Sequence, residues 1–167
     1  VYDGVWIKGF GAGVSYIYDS MFDVCGRYAL HVENSAPDGW LECNGSFFKA
    51  YGVDGVVKNA VYFKNVQKSS ILGGQCECLV NGAETQAHNV IELEDCDTIR
   101  VLGPRILGNG DDYASAIKLV DTTDSVFGGF HAQNVLQAVT ESGSSNRNVV
   151  YPFGHSGLAA ATLAVGL

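Results

Sequence analysis

Five stretches share one phrase: Ala29-Leu30-His31-Val32-Glu33-Asn34, Ala60-Val61-Tyr62-Phe63-Lys64-Asn65, Val90-Ile91-Glu92-Leu93-Glu94-Asp95, Ala116-Ile117-Lys118-Leu119-Val120-Asp121 and the weaker Ala138-Val139-Thr140-Glu141-Ser142. Small or aliphatic residues alternate with polar ones, which is the period-two pattern of a strand with one buried face. An Asn, Asp or Ser then closes the phrase. The interval between copies shrinks along the chain toward a unit of about 22 residues, as it would if loops of decreasing length were inserted into one repeating structure.

Each phrase is followed by a second run: Trp40-Leu41-Glu42-Cys43, Ser70-Ile71-Leu72-Gly73, Ile99-Arg100-Val101-Leu102-Gly103 and Ser125-Val126-Phe127-Gly128. A third comes next, as Ser46-Phe47-Phe48-Lys49-Ala50-Tyr51, Gln75-Cys76-Glu77-Cys78-Leu79, Arg105-Ile106-Leu107-Gly108 and Phe130-His131-Ala132-Gln133. Three short strands per unit, joined by tight turns, are the plan of an all-β right-handed parallel β-helix. Asn34, Asn65, Asp95 and Asp121 are expected to form a corner ladder, because short polar side chains bond nearby backbone and can bond each other from coil to coil. Gly marks the next corner. Adding the segments Val5–Phe10 and Val14–Tyr18 at the start and Val149–Tyr151 and Phe153–His155 at the end gives about six coils. A β-sandwich is the alternative, but antiparallel hairpins require no such repeat.

The 167 residues fit one domain, 1–167, expected to be part of a longer protein, and the apolar segment 157–167 is expected to cap the stack or serve assembly. A net charge of −8 argues against a sequence-independent grip on nucleic acid, which needs a surplus of Lys and Arg. No apolar run approaches the roughly 20 residues required to span a bilayer, so membrane insertion is not expected. The five cysteines, Cys25, Cys43, Cys76, Cys78 and Cys96, are odd in number and lack zinc-ligand spacing, which points to small buried hydrophobes.

The phrases Ala116–Gly128 and Ser144–Val150 resemble coils of the pectate-lyase-like β-helix superfamily, which includes phage tailspikes; the resemblance covers roughly residues 29 to 151. It implies an elongated domain that binds or cuts a polysaccharide, often as a parallel homotrimer, in a virion or extracellular setting. Fold alone does not supply function. Three readings stay open: a carbohydrate-recognition domain of a spike protein, a polysaccharide lyase or glycoside hydrolase, and a structural domain for trimerisation or assembly.

Glycoside hydrolysis needs two carboxyl groups, about 5 to 5.5 Å apart for retention and about 6.5 to 9.5 Å for inversion. Adjacent coils supply such spacing. On the third strands Glu77, Arg105 and His131 fall on successive coils, with Asp111 and Asp112 on the loop that follows. As a catalytic set, Asp111 or Asp112 would work with Glu77 as acid and base, and Arg105 would hold an anionic sugar. In a lyase, Arg105, Lys49 or His131 would neutralise the uronate. No resident cofactor is expected, although the Asp111-Asp112 loop has the chemistry to take calcium. No Ser-His-Asp order is present, and Gly9-Phe10-Gly11-Ala12-Gly13 lacks the Lys of a phosphate-cradling loop.

Sugar binding without cleavage asks for aromatic platforms with polar neighbours. Trp40, Tyr51, Tyr62 and Tyr113 are candidates; Trp40 equally fits core or corner packing, whereas Tyr62, between inward Val61 and Phe63, should point outward and is the preferred platform. The insertions Gly52–Asn59, Asn81–Asn89 and Asn109–Ser115 leave one edge of the stack and would wall a groove there.

Overall fold

A computed structural model describes residues 3–37, 39–53, 57–81, 88–108, 113–158 and 163–164. Among these the regular elements are all strands, and they fall into successive triplets. Coil 1 comprises Val5–Lys8, Gly13–Tyr18 and Met21–Cys25; coil 2, Tyr28–Glu33, Gly39–Asn44 and Phe47–Val53; coil 3, Asn59–Lys64, Ser70–Leu72 and Gln75–Asn81. Coil 4 follows as His88–Glu94, Arg100–Leu102 and Arg105–Leu107, coil 5 as Tyr113–Val120, Val126–Gly128 and His131–Val135, and coil 6 as Gln137–Ser142, Val149–Val150 and Gly154–Leu158. Each strand pairs in parallel with its equivalent one coil away, giving a 7-stranded first sheet and 6-stranded second and third sheets. The chain is a parallel β-helix. The seventh strand of the first sheet is Leu163–Ala164, in register with Val139 and Thr140, so this part of the apolar tail prolongs the stack. Among the described residues no helix is long and apolar enough to cross a membrane.

Register turns the apolar phrases into continuous columns. Leu30, Val61, Ile91, Ile117 and Val139 lie one above another, and so do Val32, Phe63, Leu93 and Leu119. From the second sheet come Ile17, Cys43, Ile71, Val101 and Phe127, and from the third Phe48, Cys76, Ile106 and Ala132. No coil could bury its apolar face alone; stacking does so for all of them. Cys43, Cys76, Cys78 and Cys96 are buried free thiols, as expected, whereas Cys25 on coil 1 is only partly buried; burial pushes Cys43 up to about 12, far from a reactive thiolate.

One departure from simple alternation recurs. Ala29 and Leu30, Ala60 and Val61, Val90 and Ile91, Ala116 and Ile117, and Ala138 and Val139 are consecutive and both buried. The first member of each pair is small or β-branched and lies within the first-sheet strand, and the second member starts the regular alternation.

The corner residues Asn34, Asn65, Asp95 and Asp121 have φ of 57°, 51°, 52° and 50°. This left-handed region is one that Asn and Asp tolerate better than other side chains. Asn65 Nδ2 donates to Asn34 Oδ1 at 3.1 Å, the coil-to-coil bond that the ladder called for. Glycines continue the row at both ends, with Gly9 at φ 70° and Gly143 at φ 67°. The corner between the second and third sheets carries Asp19, Gly45, Gly73, Gly103 and Gly129, again at positive φ. A third left-handed row, Lys68, Thr98, Asp124 and Arg147, has no signature in the sequence, since Lys, Thr and Arg seldom adopt this conformation. Backbone bonds between coils hold it: Lys68 N–H donates to the Asp97 carbonyl at 3.0 Å and Thr98 N–H to that of Thr123 at 3.1 Å.

Candidate functional site

A β-helix of this form offers three outer faces, and the polar residues on each have different employment. On the first sheet the column Trp6, His31, Tyr62, Glu92, Lys118 and Thr140 is tied into the protein itself. The Tyr62 hydroxyl donates to Glu94 Oε2, its ring stacks on Tyr28 with centroids 5.4 Å apart, and Lys64 Nζ donates to Glu94 Oε1 at 2.7 Å. His31 is buried between carboxylates, 2.9 Å from Glu33 and 3.5 Å from Asp3, and Asp3 is also paired with Arg27. Lys118 reaches Glu92 at 3.4 Å. Tyr62 does project outward, as its place in the alternation requires, yet its hydroxyl and one ring face are already engaged.

Burial and the bond to Glu94 push the Tyr62 phenol up, while the bonds from Lys64 and Tyr62 hold the Glu94 carboxyl below its ordinary value of 4.5. A carboxyl lowered in the folded state stabilises the fold above its unfolded value, and the contribution is lost as pH falls through the folded value. The urea midpoint should therefore drop on acidification from pH 6 to pH 3, and Glu94→Gln should drop less over that range. Superimposable pH profiles for the two proteins would remove Glu94 from the set of stabilising carboxylates.

The third-sheet face carries two columns rather than one. Gln75, Arg105 and His131 share the first; Lys49, Glu77, Leu107, Gln133 and Ser156 share the second. Arg105 and His131 are thus neighbours on adjacent coils, whereas Glu77 stands opposite Leu107, one column over. Arg105 Nη2 donates to Gln133 Oε1 at 2.8 Å, His131 Nε2 lies 3.2 Å from Ser156 Oγ, and Glu77 faces Lys49 Nζ at 3.9 Å. Asp111 and Asp112 lie outside the described residues, and with them the calcium expectation. Tyr113 opens a first-sheet strand, but its side chain is also outside what is described. Among the described residues no group of three or more His, Cys, Asp and Glu is placed to hold a metal ion. The segments Gly52–Asn59, Asn81–Asn89 and Asn109–Ser115 each join a third-sheet strand to a first-sheet strand; residues 54–56, 82–87 and 109–112 lie outside the described residues, and with them the expected groove wall.

The second sheet differs. Its outer face holds a groove of about 400 Å³ lined by Trp40, Glu42, Lys68, Ser69, Ser70, Leu72, Thr98, Arg100 and Leu102. Register explains the depression. Glu42, Ser70 and Arg100 occupy one outward column on coils 2, 3 and 4, so a small Ser lies between two long charged side chains. Leu72 and Leu102, side by side in the next column, give the groove an apolar strip. Lys68 and Thr98 enter from the left-handed corner row.

Aromatic rings flank the groove on the coil 1 side. Trp40 is 42% exposed, Tyr16 57% and Tyr18 48%; Tyr16 pairs with Glu42 and Val14 with Trp40 across coils 1 and 2. The Tyr18 hydroxyl donates to Glu42 Oε1 at 2.9 Å, and desolvation together with this bond pushes the phenol up to about 12, which keeps it a donor at neutral pH. Arg27, Arg105 and Arg147 are bonded to Asp3, Gln133 and Asp124. Among the described residues the Arg100 guanidinium has no such side-chain partner.

Of the residues selected from sequence, Trp40 alone lines this groove; Tyr62 is on the first face and Arg105, His131 and Glu77 are on the third. Glu42, Lys68 and Arg100 lie outside the third strands, where the expected charge cluster was placed, although alignment of the second strands puts Glu42 and Arg100 in one column. No protein-family model, no curated protein and no solved structure matches this chain.

Proposed function

We propose that this chain is a carbohydrate-recognition β-helix whose second-sheet groove receives a glycan, with Trp40 as the platform. The observation that carries the reading is the exposed Trp40 ring at the side of a groove that mixes an apolar strip with a carboxylate and two cations. Sugars present apolar C–H faces that pack on aromatic rings and hydroxyls that seek planar donors and acceptors, and the groove supplies both. Binding is favoured over cleavage because Glu42 is the single carboxylate among the described lining residues, while hydrolysis needs two across the scissile bond.

Incubation with a panel of neutral and acidic bacterial polysaccharides should show retention of at least one of them without new reducing ends. Trp40→Ala should weaken that retention about tenfold, the scale of losing one aromatic contact and its buried area. Thermal unfolding should change little, since the ring is on the surface. Unaltered affinity of Trp40→Ala, or no retained glycan in the panel, would contradict the proposal; new reducing ends would shift it to the enzyme alternative, a lyase if they come with the ultraviolet absorbance of unsaturated uronates and a glycoside hydrolase if they do not.

A further inference from the structure

We infer that the groove selects glycans bearing an isolated anionic substituent, a carboxylate or a sulfate, held by Arg100 with Lys68 beside it; this rests on the reading of the groove as a glycan site. A guanidinium is a planar fork of donors matched to the two oxygens of such a group, and it is weakly hydrated enough to release water for it. Elsewhere that capacity is taken: Arg27 bonds Asp3 through two nitrogens, Arg147 bonds Asp124 in the same way, and Arg105 is on Gln133. Arg100 is exposed in the groove with no described side-chain partner, and its register neighbour on coil 3 is Ser70, too small to fill the space in front of it.

Across Ser70 stands Glu42, two coils from Arg100, so the two backbones are about 10 Å apart at the coil spacing of a parallel stack. That span accommodates one sugar ring. An anion bonded to Arg100 leaves the far side of the ring toward Glu42, whose Oε1 already accepts from Tyr18 and whose carboxylate can accept from sugar hydroxyls. Glu42 also discriminates: a second anion placed there would meet like charge. The net charge of −8 acts in the same direction at longer range, repelling densely charged polyanions while a local guanidinium still captures a single acidic group. The expected ligand is therefore a chain of mostly neutral sugars with one acidic residue seated against Arg100 and a neighbouring ring against Trp40.

The test uses the full chain and each panel polysaccharide in two forms, native and with its charge removed by carboxyl reduction or desulfation. The native acidic form should bind about tenfold more tightly than its neutral counterpart, the scale of a charge-assisted hydrogen-bonded pair. Arg100→Gln should abolish that difference, and Arg100→Lys, which keeps the charge but not the fork, should retain part of it. A preference confined to uronates or to sulfated sugars identifies which anion is read. Equal affinity for charged and neutral forms, with Trp40→Ala still weakening both, would overturn the selection by charge and leave the glycan site standing. Absence of any Trp40-dependent binding would overturn both.

Discussion

Truncating Phe63 to alanine is expected to cost about 3 to 5 kcal/mol of folding stability, the range for removing a large buried side chain and leaving a cavity. Phe63 is fully buried on coil 3, in the column that runs through Ile7, Val32, Phe63, Leu93 and Leu119. Close packing makes its loss felt above and below, because each inward side chain rests on its equivalents one coil away. The residue beside it, Tyr62, points outward, so Tyr62→Ala should cost less even though it removes a similar volume. Urea unfolding of the two variants compares the faces directly. A loss at Phe63 no larger than that at Tyr62 would mean that the register is displaced by one residue.

Replacing Gly74 by alanine should be nearly as damaging, for a different reason. Gly74 has φ of 72°, and a Cβ there would fall 2.1 Å from the Ser46 carbonyl oxygen and 2.8 Å from the Ser46 nitrogen, both backbone atoms of the coil beneath. That same carbonyl accepts from Gln75 N–H at 3.0 Å. A methyl group would therefore prise two coils apart where they are bonded, adding steric cost to the strain of a left-handed L-residue, together about 2 to 5 kcal/mol. Gly73, its neighbour, has φ of 61° but open space where its Cβ would go. Gly73→Ala should lose only the conformational part, about 1 to 2 kcal/mol. Equal losses in denaturant unfolding would show that coil contact at this corner is not what excludes a side chain from position 74.

The sequence spoke clearly where a physical requirement narrows the choice of residue. Inward columns demand apolar side chains, and a left-handed corner draws Gly, Asn or Asp, so Asn34, Asn65, Asp95 and Asp121 mark both the strand ends and their stacking. Legibility failed where the requirement was met by the backbone instead. The row Lys68, Thr98, Asp124 and Arg147 is kept left-handed by bonds between coils, and nothing in those side chains declares it. The paired inward residues such as Ala60 and Val61 read as simple alternation because Ala is at home in either environment.

For the site, alternation makes the outward direction of Tyr62 legible, whereas the exposure of Trp40 and the partners of its ring depend on which columns adjoin. A shift of one column separates Glu77 from Arg105, and a choice of sheet separates both from the groove. Charge alone did not distinguish employed from available side chains. Arg105, expected to hold an anionic sugar, is bonded to Gln133, while Arg100 in the second strand of the same coil faces a groove.

Trp40 emission measures occupation of the groove. The protein has two tryptophans, and Trp6 belongs to the first-sheet face, stacked on His31, so Trp6→Phe leaves Trp40 as the sole indole reporter. Titrating this variant with a polysaccharide retained by the wild-type chain should move Trp40 emission to shorter wavelength in a saturable way, with a midpoint equal to the binding constant, as the ring leaves water for a sugar face. An unchanged spectrum while the polysaccharide is demonstrably bound would place the glycan on another face and contradict the account of the second-sheet groove.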